Sequence, residues 1–328
     1  MRILVADRLP AHFTETMRAA GHESLMEPDL TEATLAGAVD GIEVLIVRST
    51  RVSAAVFAAT DTLRLVVRAG SGTNTIDCDA ATRAGVLVAN VPGRNSLAVA
   101  ELTMGLLLAV DRAIPDNTSE LRSGHWDKLR FSAVGRGLYG RSLGIVGLGH
   151  IGLEVAERAH AFGMRLLAQV KGSRSEEASR RIADLGIELV PDLVTLASEA
   201  DALTLHVPLN EQTRGMVGRE VLEALEPGIL VNTSRAEVVD SAALLTHLDG
   251  GRLSAGLDVY PDEPASGTAQ WSSPLARHPR VVGTHHIGAS TEQAQEAVVA
   301  GVVEIVEAFD RGEHRNVVNQ PAEAGAVR

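Results

Sequence analysis

Three glycines point to the first chemistry. In SLGIVGLGHIGLEVAERAHAFGMRLLAQV, Gly147, Gly149 and Gly152 have GxGxxG spacing, at the turn between an apolar run that reads as a strand and a segment that reads as a helix. Each has a separate duty there. Gly147 permits the tight turn, Gly149 lets the backbone approach a pyrophosphate, and Gly152 allows close packing of helix on strand. The helix N-terminus then offers its unpaired N–H groups to the phosphates. The spacing alone is weak, but its strand–turn–helix–strand context favours dinucleotide binding over a glycine-rich turn without a ligand.

About 20 residues beyond the first glycine, an acidic side chain normally binds the ribose hydroxyls of NAD. Here the second strand ends in Gln169 and Val170, followed by Lys171, Gly172, Ser173 and Arg174. With no carboxylate to repel it, a 2′-phosphate can be held by Lys171, Ser173 and Arg174 through charge-assisted hydrogen bonds. The expectation is that NADP(H) is preferred and NAD(H) possible. The alternative is that these are solvated loop residues.

Composition bounds the rest. A chain of 328 residues exceeds what one compact core usually supports, so two domains are expected. No apolar run reaches the roughly 20 residues that span a bilayer, and MRILVADRLP reads as a first strand rather than a signal peptide. The net charge of −12 argues against affinity for nucleic acid or anionic membranes, though an arginine cluster can reverse the field in one cleft. A single cysteine, Cys78, excludes an internal disulfide and suits a reducing cytoplasm, where it reads as a small buried side chain.

The elements that must position these residues follow from periodicity. Ten short apolar runs, among them RILVAD, EVLIVRS, LRLVVRAG, GVLVANV, GILVNTS and RVVGTHH, alternate with segments of helical period. Such runs predict parallel strands covered on both faces, an α/β doubly wound class. A long apolar helix begins near Asn95 or Ser96 and must pack in a core or against another subunit. A second, TEQAQEAVVAGVVEIVEAFDRG, ends at Gly312 and is followed by the short run RNVVN.

Segments from about Ile46 to Gln295 resemble the D-2-hydroxyacid dehydrogenase family, most closely its D-3-phosphoglycerate dehydrogenase branch. They are LIVRST, VVRAGSGTNTIDCDAATRAGVLVANVPGRNSLAVAELTMGLLLA, LGIVGLGHIG, NTSRAEVVDSAALLTHL, AGLDVYPDEP and THHIGASTEQAQ. The resemblance implies two Rossmann-like parallel-sheet domains. A nucleotide domain, residues 98–287, would be inserted into a discontinuous substrate domain of residues 1–97 and 288–328, with the active site in the cleft. It also implies a short form without the family's regulatory domain, and a homodimer with the apolar helix after Asn95 and the segment RSGHWDKLRFSAVG at the contact. No metal is implied.

The family's catalytic residues carry over to Arg235, Glu263 and His286. Reduction of a 2-keto acid leaves a developing alkoxide that needs a proton and positive charge. His286 would supply the proton, and Glu263 would fix the ring and stabilise the imidazolium. Arg235 would bind the substrate carboxylate with a fork that lysine lacks. His285 and Asp262 are the decoys beside His286 and Glu263. The family usually has glycine where this chain has Ala236, which would be strained if that position required a positive φ. For the cofactor, Asp258 would hold the nicotinamide amide and His150 and Ile151 would lie over the pyrophosphate. Val207, Pro208, Thr233, Ser234 and Gly288 would line the remaining path. For the substrate, Ser71 and Gly72 would hold the carboxylate, while Arg48, Ser49 and Arg68 would meet a distal phosphate. The alternative for both arginines is a surface salt bridge.

The implied activity is reduction of a small anionic 2-keto acid, of phosphohydroxypyruvate or phosphonopyruvate type. A glyoxylate or hydroxypyruvate reductase is the alternative of the same class. An NAD(P)H-sensing binding protein or corepressor is the alternative of another class, since such proteins keep the same three residues. A formate dehydrogenase is disfavoured, because that branch carries glutamine where Glu263 stands.

Overall fold

The computed structural model describes residues 1–10, 12–170, 175–264 and 268–320. It divides into two compact units, one formed by Met1–Asn95 with the segment from Ser290 onward, the other by Ser96–Ala289. The family resemblance implies these divisions at 97/98 and 287/288. Among the described residues, no helix is long and apolar enough to cross a membrane.

The first unit carries a five-stranded parallel sheet. Its strands are β1 (Arg2–Val5), β2 (Glu23–Met26), β3 (Val44–Val47), β4 (Leu65–Arg68) and β5 (Leu87–Asn90), in the order β2-β1-β3-β4-β5. The central strand β3 is VLIV and wholly buried, as expected of a parallel strand covered on both faces. Alternation along the strands divides the core in two. Ile3, Val5, Val44 and Ile46 pack with Phe13, Met17, Val302 and Ile305. Leu4, Leu45, Val47 and Val66 pack with Leu35, Val56 and Phe57 on the other face.

The Glu292–Asp310 helix is capped by Thr291, whose side chain accepts from the Ala294 amide, and the chain turns away at Gly312 with φ +79°. The run RNVVN then covers the outer edge of β5. Val318 N–H donates to the Val88 carbonyl at 2.8 Å, and the Asn319 side chain binds Val88 N–H, Thr82 and the Val86 carbonyl.

The second unit carries seven parallel strands: β6 (Ser142–Val146), β7 (Arg165–Gln169), β8 (Glu188–Val190), β9 (Ala202–Leu205), β10 (Gly228–Asn232), β11 (Leu253–Leu257) and β12 (Val281–Gly283). Their order is β12-β11-β10-β9-β6-β7-β8. The chain runs outward from β6 through β7 and β8, then crosses back to β9 on the other side of β6. The topological switch point therefore lies between β6 and β9. The Ser96–Asp111 helix buries Ala98, Val99, Ala100, Met104, Leu106 and Leu107, so its apolar surface goes largely into its own unit's core.

Two strands lie outside the apolar runs, β2 (ESLM) and β8 (ELV). Each is the edge strand of its sheet, and each keeps glutamate and exposed positions because only one side is paired.

Candidate active site

The described candidate residues of the second unit follow the carboxyl ends of its strands. After β6, Gly147 has φ +97°, and a Cβ there would lie 2.6 Å from the His206 carbonyl oxygen at the end of β9. A Cβ on Gly152 would overlap the Gly147 carbonyl, so the helix His150–Ala161 packs against the turn only because that position is bare. Gly149 precedes this helix, and a Cβ there would meet nothing within 4 Å. Space therefore remains at the helix N-terminus, where His150 is exposed and Ile151 half-buried. Bare backbone, open space and helix N–H groups together fit a pyrophosphate.

Across the switch point, Val207 is buried and Pro208 exposed. His206 keeps some exposed surface, yet its Nδ1 is fully covered without a partner and its Nε2 shares a hydrogen atom with the Thr204 hydroxyl at 2.9 Å. Burial pushes this imidazole down to about 3 and keeps it neutral.

The turn after β10 is braced by Asn232, whose carbonyl oxygen accepts from the Ser234 amide and hydroxyl while its amide donates to the Arg235 carbonyl at 2.9 Å. Thr103 spends its hydroxyl hydrogen on the Val99 carbonyl, so in the 3.0 Å contact between the two hydroxyls Thr233 is the donor. Arg235 is extended and half-buried, with one guanidinium N–H on the Ser234 carbonyl. Ala236 opens a short 3₁₀ turn, Ala236–Val238, and has no positive φ, so alanine is accommodated without strain. Glu237 is exposed.

After β11, Asp258 is 1% exposed and holds the segment that follows β12. One carboxylate oxygen accepts from the Thr284 hydroxyl at 2.6 Å and the Ile287 amide at 2.9 Å; the other accepts from the Gly288 amide at 2.8 Å. This clamp brackets His286, which has φ +52°. The His286 Nδ1 lies 2.7 Å from one oxygen of Glu263, whose other oxygen accepts from the Tyr260 amide at 2.7 Å. Burial alone would raise the Glu263 carboxyl. The hydrogen bonds from His286 and Tyr260, with the charges of His286 and Arg235, outweigh it and hold the group below its ordinary value. The side chains of His286 and Glu263 are 48% and 31% exposed, so the pair remains open to a reactant. Beneath it, the Tyr260 phenol is pushed up to about 12 by burial and by the charges of Asp258 and Glu263, and it donates to the Leu257 carbonyl.

The first unit presents its candidates on neighbouring strands, since Val47 of β3 is in register with Arg68 of β4. Arg48 and Ser49 follow β3, and their amides, with that of Thr50, donate to one oxygen of Asp7. The Arg68 guanidinium lies where a Cβ on Gly70 would stand. Ser71 and Gly72 are half-buried, the Ser71 hydroxyl reaching the Asn95 side-chain oxygen at 3.3 Å.

The family profile described as "D-isomer specific 2-hydroxyacid dehydrogenase, NAD binding domain" matches residues 104–288. The chain belongs to the D-isomer specific 2-hydroxyacid dehydrogenase family. This family member is 40% identical over 325 residues to a D-3-phosphoglycerate dehydrogenase of Methanocaldococcus jannaschii, covering 98% of this chain but only 60% of that protein's length. It is 38% identical over 306 residues to a hydroxypyruvate reductase of Thermotoga maritima, covering 92% of this chain and 96% of the relative. Among solved structures, an NADPH-dependent glyoxylate/hydroxypyruvate reductase of Sinorhizobium meliloti superposes with a TM-score of 0.83 at 30% identity, over 97% of each chain.

Within this family member, geometry separates the candidates from their neighbours. Glu263, not Asp262, meets the imidazole of His286, while the Asp262 carbonyl accepts from the Trp271 indole. His285 is exposed. At the end of β7, Val170 is 52% exposed and no acid stands at Gln169 or Val170. Lys171, Ser173 and Arg174 lie outside the described residues. Three polar positions escaped the reading of the sequence: Asp7, Asn232 and Asp258 in its role as a clamp. The available signal was the same for each, a single Asp or Asn directly after or closing an apolar run.

Proposed function

We propose that this chain is an NADP(H)-preferring reductase of small 2-keto acids that carry a second anionic group, of phosphohydroxypyruvate or phosphonopyruvate type. The observation that carries the reading is the 2.7 Å pair of His286 and Glu263, placed past β12 and β11 in a unit whose switch-point turn leaves open space beside Gly149. In this reading Ser96–Ala289 is the nucleotide domain and the other unit the substrate domain. Gly147, Gly149 and Gly152 hold the pyrophosphate, with Lys171, Ser173 and Arg174 on the 2′-phosphate. When bound, NADP(H) supplies the hydride that reaches the substrate carbonyl carbon.

The chain's own groups handle charge and protons. Glu263 occupies Nδ1 of His286, which leaves Nε2 to give its proton to the developing alkoxide. The imidazole thereby becomes neutral, and in the reverse reaction it takes the proton back. The depressed carboxyl of Glu263 stays ionised and keeps the imidazolium paired. Arg235 binds the substrate carboxylate, assisted by the Ser71 and Gly72 loop, while Arg48, Ser49 and Arg68 recognise the second anionic group.

The test is oxidation of NADPH and of NADH against phosphohydroxypyruvate, phosphonopyruvate, hydroxypyruvate, glyoxylate and pyruvate. The expected result is a clear NADPH preference and the highest kcat/KM on a doubly anionic acid. Preference for NADH would remove Lys171 and Arg174 from the cofactor site. If the 2′-phosphate assignment holds, Lys171→Ala with Arg174→Ala weakens NADPH far more than NADH. Tight NADPH binding with no turnover on any acid would favour a nucleotide-sensing protein.

A second reading, a glyoxylate or hydroxypyruvate reductase, is favoured by relatives of matching length that carry those names. The same panel separates the two. We further propose a homodimer, supported by Trp126 and Leu129, 81% and 84% exposed around the short helix Lys128–Ser132. A monomeric mass at micromolar concentration would overturn it.

A further inference from the structure

We propose that Asp7 is a positioning residue for substrate recognition, acting through the loop that presents Arg48. In the first unit the chain leaves β1 for β2 on one side and returns to β3 on the other, so the switch point of this sheet lies between β1 and β3. At such points, open α/β sheets offer ligands a crevice past the strand ends. Here the protein fills it with its own anion. The amides of Arg48, Ser49 and Thr50 converge on one oxygen of Asp7 at 2.6, 3.1 and 3.1 Å, and the Thr50 hydroxyl donates to the Ala6 carbonyl at 3.1 Å. Three successive N–H groups closing on one carboxylate oxygen form a nest.

Two consequences follow for recognition. The amides of Arg48 and Ser49 already have an acceptor, so a substrate anion must be read by side chains, of which Arg48 carries the charge. Among the described residues that guanidinium forms no ion pair. Its direction is set by a backbone whose shortest polar contact is the 2.6 Å bond to Asp7. Asp7 opposes a substrate anion electrostatically, so its contribution is geometric. The inference rests on the reading that Arg48 meets the substrate's second anionic group.

Steady-state kinetics of the full chain test it, with phosphohydroxypyruvate against hydroxypyruvate, the same acid without phosphate. Asp7→Ala is expected to raise KM for the phosphorylated acid about tenfold, leaving kcat and the KM for hydroxypyruvate within about twofold. Asp7→Asn keeps an acceptor oxygen and should recover part of the loss. Adding Asp7→Ala to Arg48→Ala should raise KM no further. If Arg48→Ala raises KM for the phosphorylated acid and Asp7→Ala does not, or if Asp7→Ala harms both substrates equally, Asp7 does not act through Arg48. If Arg48→Ala changes neither KM, the assignment of Arg48 itself fails and the inference falls with it. Should Asp7→Ala melt at the assay temperature, Asp7→Asn carries the test through a smaller rise confined to the phosphorylated acid; equal KM values for wild type and Asp7→Asn on both acids would then overturn the inference.

Discussion

The two units solve the same topological problem in opposite ways. Both are parallel sheets with a switch point, β1/β3 in one and β6/β9 in the other. In the first, Asp7 and Thr50 close the crevice with side-chain hydrogen bonds to the chain's own backbone. In the second, Gly147 and Gly149 strip side chains from the turn, and the helix N-terminus faces open space. One sheet satisfies its free N–H groups internally, on Asp7; the other leaves open space beside its turn. A shared architecture therefore fixes where a site can be, and side chains decide whether one exists.

On the proposed reading, chemistry belongs to the second unit and recognition to the first. His286→Ala should break it most severely, lowering kcat by about 100- to 10,000-fold, the usual worth of a positioned general acid. Cofactor affinity, read by fluorescence titration, should survive, because the imidazole is bonded to Glu263 and not to the glycine turn. Arg48→Ala should instead raise KM. Comparable losses of kcat from both variants would dissolve the division of labour.

The open switch point can be probed at two glycines two residues apart. Gly147→Ala places a Cβ at φ +97° and 2.6 Å from the His206 carbonyl, so it should cost at least about 1–3 kcal/mol and lower Tm. Gly149→Ala meets no atom within 4 Å and has an ordinary φ of −85°, so stability should stay within about 0.5 kcal/mol. Cofactor affinity should nevertheless fall, since the added methyl occupies the approach to the backbone. A Gly149→Ala protein that binds NADPH normally would show that the space beside Gly149 is not where the pyrophosphate lies.

Much of this is legible in the sequence. Buried central strands such as VLIV and the GxGxxG turn declare themselves because burial on both faces demands uniform apolarity and a tight turn demands glycine. Arg235, Glu263 and His286 came from resemblance; no spacing in the chain brings residues 28 and 23 apart onto neighbouring strand ends without the sheet order. The edge strands β2 and β8 stayed hidden because half-exposed strands lose the apolar signal. Asp7 and the clamp of Asp258 were invisible for a different reason. Apart from the Thr284 hydroxyl on Asp258, their partners are backbone amides at 41 to 43 and 29 to 30 residues' distance, and amides carry no sequence identity.

The smallest expected effect concerns His206, where the open switch point is closed around one side chain. Its carbonyl faces Gly147, but its Nδ1 is buried without a partner and its imidazole is pushed down to about 3 by burial. The unfolded chain takes up a proton near 6.5 while the folded chain refuses it until about 3. Stability from this group is therefore complete above pH 6.5 and declines as pH falls between those values. From pH 8 to pH 6 the loss should be below about 1 kcal/mol. His206→Asn removes the titrating group, so its Tm should fall less than that of the wild type over this interval. Equal slopes would mean that His206 accepts a proton in the folded protein, and that water reaches Nδ1 at the one switch point left open.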